Sequence, residues 1–133
     1  MIKTLVSHVG IAVRDLDSAI KSYEILTGAR NSAIENVESE KVKVAMFSGD
    51  GSRIELLAAT SEDSPVAKFI DNRGEGLHHI CIYVDDIESK LRELKEAGIK
   101  VIDETYRRGA EGKKIAFVHP QNLNGVLIEL EER

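Results

Sequence analysis

A second cysteine is missing from this chain, and with it any intrachain disulfide: Cys81 is the only thiol in 133 residues, a usage that fits a reducing cytoplasm. Its place inside an apolar strand reads as a small buried residue. A basic block is also missing. Net charge is −5, so nucleic acid is not an expected partner; an anionic substrate stays open, because a metal and a few lysines can outweigh a weak overall field. Long apolar runs are absent too. The opening Met1-Ile2-Lys3-Thr4-Leu5-Val6 is too short to span a bilayer and has no signal-peptide cleavage site, which leaves the membrane out as a partner. The chain is too short for two independent cores, and 42% hydrophobic with 31% charged content describes one soluble globular domain over 1–133.

What is present is a duplication. An apolar strand opening on a histidine occurs twice, as His8-Val9-Gly10-Ile11-Ala12-Val13 and His79-Ile80-Cys81-Ile82-Tyr83-Val84. Each is followed half a domain later by a strand carrying a glutamate, in Arg53-Ile54-Glu55-Leu56-Leu57 and Leu127-Ile128-Glu129-Leu130. The histidines are 71 residues apart (8 to 79) and the glutamates 74 (55 to 129). After each first strand comes a helix. Asp15-Leu16-Asp17 starts one with Leu16, Ile20, Tyr23 and Leu26 inward and Gly28 as its stop; Asp85-Asp86-Ile87 starts the other with Ile87, Leu91, Leu94 and Ala97 inward and Gly98 as its stop. Three strands complete each half, roughly at 30–34, 41–47 and 53–58, then at 101–103, 113–118 and 125–131. The fold class is therefore α+β, with modules at about 4–59 and 77–133. The stretch 60–76, with Ser64-Pro65 before Val66, Phe69 and Ile70, reads as a short helix and a glycine-containing link.

Strand parity gathers the polar residues. Val9, Ile11 and Val13 point one way and His8, Gly10 and Ala12 the other; Ile80, Ile82 and Val84 oppose His79, Cys81 and Tyr83. Glu55 opposes Ile54 and Leu56, and Glu129 opposes Ile128 and Leu130. All four polar side chains thus leave the aliphatic faces for the bare faces of two half-sheets, which pairing would enclose. A single strand histidine is usually a hydrogen-bonded structural residue, and a single strand glutamate often reaches solvent. Four at matched repeat positions point instead to a divalent-metal site. Two neutral imidazoles and two carboxylates suit five- or six-coordinate Co²⁺, Mn²⁺, Ni²⁺, Fe²⁺ or Zn²⁺ with room for water or substrate oxygens. His78 has the opposite parity and reads as helix-side or edge; His119 before Pro120 reads as a turn residue or a pocket rim.

Paired half-modules with His8, Glu55, His79 and Glu129 resemble the vicinal oxygen chelate superfamily. The likeness covers essentially the whole chain, from Ser7-His8-Val9-Gly10-Ile11-Ala12-Val13 through Gly76-Leu77-His78-His79-Ile80 and Val84-Asp85-Asp86-Ile87. Arg108-Gly109-Ala110-Glu111-Gly112-Lys113-Lys114-Ile115-Ala116-Phe117-Val118-His119-Pro120, followed by Gly125-Val126-Leu127-Ile128-Glu129-Leu130, narrows it to the methylmalonyl-CoA epimerase family. The resemblance implies two βαβββ modules in a curled eight-stranded sheet around a metal cleft, a homodimer in the cytoplasm, and a role in propionate metabolism. It implies His8, Glu55, His79 and Glu129 as ligands, with Co²⁺ expected ahead of Mn²⁺, Ni²⁺, Zn²⁺ and Fe²⁺. It also implies interconversion of the C2 epimers of methylmalonyl-CoA through a metal-stabilised enolate.

Epimerisation removes a proton from one face of C2 and delivers one to the other. Some members of the family carry a catalytic glutamate on the third strand, where Val44 stands here. Glu129 is then the first expectation for the base and Glu55 the second, while Glu38 and Glu40 read as a solvated, charged turn. Arg108, Lys113 and Lys114 flank a glycine-containing loop and are expected to meet the CoA phosphates. A glyoxalase-like isomerase or lyase, an extradiol-type oxygenase and a metal-free binding module of the same fold remain alternatives.

Overall fold

The aspartate after each histidine strand stops extended structure by capping a helix. Asp15 accepts a hydrogen bond from the Ser18 N–H ahead of helix α1 (Leu16–Thr27), and Asp86 accepts from the Ser89 N–H ahead of α3 (Ile87–Glu96). Gly28 closes α1 in the left-handed conformation at φ 72°. A third helix, α2 (Pro65–Arg73), starts at Ser64 with Pro65 in its first turn. The protein is represented by a computed structural model that describes residues 3–31 and 33–133. Met1 and Ile2, from the N-terminal stretch, and Ser32, within the expected strand at 30–34, lie outside the described residues. No helix among those described is long and apolar enough to cross a membrane.

Eight strands form one curled sheet: β1 (Val6–Ala12), β2 (Glu35–Val37), β3 (Val42–Phe47), β4 (Arg53–Ala59), β5 (Gly76–Val84), β6 (Arg107–Arg108), β7 (Lys114–Val118) and β8 (Ile128–Glu132). Their order is β2-β3-β4-β1-β5-β8-β7-β6, the arrangement expected of two βαβββ modules. β1 pairs in parallel with β4, β5 in parallel with β8, and β1 meets β5 antiparallel at the centre. The four strands carrying the two histidines and two glutamates are thus the four central ones. Curling brings the sheet's edges together, where the Glu111 N–H donates to the Glu35 carboxylate and the Ser39 hydroxyl to the Arg108 carbonyl.

Helices α1 and α3 cover the outer face. Leu16 and Ile20 pack on Ala45, Phe47 and Leu56, while Ile87 and Leu91 pack on Ala116, Val118 and Leu130. Full burial of a side chain such as Ile87 stabilises the fold by about 2 kcal/mol. The linker helix does more than join the modules. Val66 and Ile70 of α2 pack with Ala12, Val42, Val44 and Leu57 on the inner face and close one end of it.

Several expectations shift. Leu26 is 74% exposed, because it lies about 80° round the helix axis from Leu16 and Ala29 packs beside the core instead. The second strand begins at Glu35, not at 30–34, since its register with β3 is set across the tight turn at Glu38–Glu40. The expected strand at 101–103 is reduced to a single Val101–Val118 bridge. There the Asp103 carboxylate takes the Phe117 N–H at 2.8 Å, displacing a ladder bond, and pairing resumes only at Arg107. At the other end, Gly125 turns at φ 82° and the last strand starts at Ile128.

Candidate metal centre

His8, Glu55, His79 and Glu129 converge on the inner face, each no more than 5% exposed. His8 Nε2 lies 3.2 Å from His79 Nε2. Glu129 Oε1 is 3.1 Å from the first and 3.0 Å from the second, and Glu55 Oε1 is 3.5 Å and 3.6 Å from the same two atoms. His8, His79 and Glu129 have the spacing of a metal-binding group, and Glu55 faces the same two nitrogens from beside it. A glycine makes this approach possible. Gly10 pairs with both His79 and Glu55 across the sheet, and a Cβ added there would stand 2.2 Å from His79 Cε1, so the ring lies directly over bare backbone.

The imidazoles are oriented from behind. The single Ser7 hydroxyl proton goes to Glu131 Oε1 at 3.1 Å, so Ser7 Oγ accepts from His8 Nδ1–H, also at 3.1 Å. With Nδ1–H held there, Nε2 is the position that carries the proton given to the carboxylates or, once that proton leaves, turns a lone pair into the cluster. Nδ1 of His79 stands 2.9 Å from Nδ1 of His78, and burial together with the charge of His79 drops the His78 pKa to about 4. A neutral His78 can accept from His79 Nδ1–H, the tautomer that frees His79 Nε2 for the cluster. A ring nitrogen held by a hydrogen bond behind each Nε2 is the arrangement metal-ligating histidines use.

The electrostatics ask for a cation. Burial opposes protonation of His8, yet its hydrogen bonds to Cys81, Glu129 and Glu55 outweigh burial and raise its pKa. Glu129 is desolvated too, which favours the neutral acid, but the two imidazoles hold it below the usual carboxylate range. Two lone pairs and two carboxylates facing one another are balanced by added positive charge, which a divalent ion supplies more fully than a proton. The donor set fits such an ion. Burial pushes the Cys81 thiol up to about 12, in keeping with its reading as a buried neutral residue.

Of the three loop cations, only Lys113 opens onto the rim beside Arg53 and Arg133. Arg108 and Lys114 form an outward pair and both lie against the Tyr106 ring. The inward cation is their neighbour Arg107, which stacks on Phe117 at 5.4 Å and has a buried Nε without a hydrogen-bond partner among the described residues. His119 caps its own turn, accepting from the Gln121 N–H, and also lines a groove with Phe69, Leu77, Ile102 and Val126.

Sequence reasoning missed Ser7, Arg107, Glu131 and the position of Glu40. Glu131 could have been found, being two residues past Glu129 and so on the same face. Ser7 could not. A bulge at Ser7 lets it share the inner side with His8, and a second at His78 sets that ring beside His79. Nor is Glu40 in a solvated turn: it is half-buried and lines the cavity that His8, Glu55 and Glu129 also line.

Comparison with known proteins follows the same lines. Residues 7–117 match the glyoxalase/bleomycin resistance protein/dioxygenase superfamily. The ethylmalonyl-CoA/methylmalonyl-CoA epimerase of Cereibacter sphaeroides is 40% identical, covering 95% of this chain and 96% of that protein. The mitochondrial methylmalonyl-CoA epimerase of Homo sapiens is 39% identical over 95% of this chain and 72% of its own length. A Streptomyces coelicolor methylmalonyl-CoA epimerase variant in complex with 2-nitronate-propionyl-CoA superposes with a TM-score of 0.91 at 35% identity, over 97% of this chain and 94% of that one. The chain belongs to the glyoxalase/bleomycin resistance protein/dioxygenase superfamily and groups there with relatives named methylmalonyl-CoA epimerase.

Proposed function

We propose that this protein interconverts the two C2 epimers of methylmalonyl-CoA, with a divalent cation held by His8, Glu55, His79 and Glu129. The observation that carries the reading is the convergence of two imidazole Nε2 atoms and two carboxylates within 3.0–3.6 Å on the inner face. When bound, a divalent ion supplies Lewis acidity for the negative charge that grows on the thioester oxygen as the C2 proton leaves. Co²⁺ is the first choice among Co²⁺, Mn²⁺, Ni²⁺, Zn²⁺ and Fe²⁺.

The remaining chemistry belongs to the chain. Glu129 is proposed as a base at C2, with Glu55 as its alternate; both are buried, where a carboxylate exchanges protons without competition from bulk water. Arg107, inward and with an unpaired Nε, suits the substrate carboxylate. At the rim, Lys113 with Arg53 and Arg133 suits the CoA phosphates, and Arg108 with Lys114 offers a second cationic patch. We assign one domain over 1–133 to this activity, since each half contributes one histidine and one glutamate. A cytoplasmic homodimer completes the reading, supported by the single buried thiol and by the exposed apolar side chains of Leu77, Ile102 and Val126.

Elemental analysis combined with deuterium exchange at C2 of methylmalonyl-CoA tests the proposal. About one divalent ion per chain is expected, with exchange that chelation abolishes and the metal restores. Absence of exchange with every divalent metal would overturn it. Turnover of a glutathione thiohemiacetal in its place would move the reading to a glyoxalase-like isomerase.

A further inference from the structure

Inversion at C2 asks for an acid/base group on each side of the reacting carbon. Around the cavity stand five carboxylates: Glu40, Glu55, Glu111, Glu129 and Glu131. Four of them are committed. Glu55 and Glu129 face the imidazole nitrogens; Glu131 accepts from Ser7 and lies 3.8 Å from Arg53; Glu111 is paired with Arg53 Nη1 at 3.1 Å. Glu40 has no hydrogen bond or ion pair to its carboxylate among the described residues, and the cavity it lines also has an apolar part, made by Val37, Val44, Met46, Ala110 and Ile115.

Its backbone is pinned. The Ser64 hydroxyl donates to the Glu40 carbonyl at 3.3 Å. Lys41 follows in the left-handed conformation at φ 54°, its carbonyl held by the Thr60 N–H at 2.9 Å and its ammonium paired with Asp63. A non-glycine residue in that region is strained, and here the strained residue directly follows the one that lines the cavity. Glu40 enters from the first half of the sheet and Glu129 from the second.

We infer that Glu40 is the second acid/base group of the reaction, occupying from the β2–β3 turn the role that Val44 cannot fill from β3. In one direction the C2–H bond breaks and its electron pair moves into C1–C2 as the thioester carbonyl becomes an enolate. The proton passes to the Glu40 carboxylate, and a proton from the group on the opposite face forms the new C2–H bond. No electrons are gained or lost overall. Burial first, and then the charge of Glu129, lift the Glu40 pKa to about 7 against the lowering pull of Arg107, a value at which one carboxylate can both take and return a proton near neutrality.

This assignment rests on the epimerase reading, and the test separates the two. Metal-loaded wild type, Glu40→Gln, Glu40→Asp and, as a control, Glu38→Gln on the exposed side of the same turn are each given one pure C2 epimer in deuterated water. In Glu40→Gln, epimerisation is expected to fall at least about 100-fold with metal content unchanged, and deuterium is expected to enter one epimer far faster than the other. Glu40→Asp should recover part of the rate, and Glu38→Gln should match wild type. Equal loss of exchange from both epimers, or a Glu40→Gln rate within about threefold of wild type, well short of that acid/base effect, would overturn the role of Glu40 while leaving the epimerase reading in place. Wild type that holds its metal and exchanges neither epimer would overturn both.

Discussion

In the first half of the sheet, the inner face beyond His8 and Glu55 is closed by apolar packing: Ala12, Val42, Val44 and Leu57 take Val66 and Ile70 of α2 against them. In the second half, Arg107, Glu129 and Glu131 share the inner face with Ile115 and Phe117, while α3 packs on the outer side. The halves have the same strand order and the same capped helix, yet only one has its trough filled. Duplication delivered two equivalent His–Glu pairs; the linker helix then made the surroundings unequal. The first half offers a filled apolar end with Glu40 and Arg53 at the cavity, and the second adds Arg107, Glu129 and Glu131, an inequality that suits an asymmetric substrate held in one orientation.

The largest effect expected is one that treats the halves alike. His8→Ala and His79→Ala should each cost activity on the order of 10³-fold, through loss of bound metal, because each removes one of four donors at the same point. Elemental analysis and exchange rates measure this. If one variant kept its metal, the pairing of the halves in a single centre would be broken. Glu129→Gln sharpens the distinction between ligand and base, since retained metal with retained C2 exchange would remove Glu129 as a base.

The next effect should distinguish the halves. Ile70→Ala in α2 and Leu91→Ala in α3 are each expected to cost about 2–4 kcal/mol by denaturant unfolding, as large-to-small changes in packed positions. Only Ile70→Ala should also raise KM, since only α2 abuts the inner face. Equal KM values for the two variants would mean that the filled trough does not shape the site. Gly10→Ala follows. The added Cβ must push the His79 ring aside, so metal affinity should fall roughly 10–100-fold with a smaller loss in thermal stability, read by metal titration and calorimetry.

Sequence alone carried the two-module plan, because the repeated His-to-Glu pattern and the capping aspartates are local signals that recur in register. Parity brought His8, Glu55, His79 and Glu129 to one face, and the structure groups them there. What parity cannot see is a departure from period two. The bulges at Ser7 and His78 turn both residues toward their neighbouring histidines, and the Asp103 side chain ends a strand that hydropathy would have continued. Arg107 cannot be told from Arg108 in the sequence, because the register of a two-residue strand is set by its partner: Arg107 pairs with inward Ile115 and Arg108 with outward Lys114. Glu40 lay hidden in a charged turn, since nothing local shows that the sheet's curl folds that turn over the cavity.

The smallest effect concerns how each histidine is held. His8 Nδ1 is fixed by a buried chain, Ser7 to Glu131, with Arg53 Nη2 3.3 Å from the same Ser7 oxygen; His79 Nδ1 has His78, which is half-buried and lies against Phe69 at 4.9 Å between ring centroids. Ser7→Ala leaves the His8 Nδ1–H and the Glu131 carboxylate facing each other 3.9 Å apart without their bridge, in a place water reaches poorly. His78→Ala opens a gap near the surface that a water can fill, restoring an acceptor for His79. Metal affinity is therefore expected to drop about tenfold in Ser7→Ala and by less in His78→Ala, as measured by competition with a chelating dye. The reverse order would show that the second half, despite its partly exposed support, holds its histidine more firmly than the first.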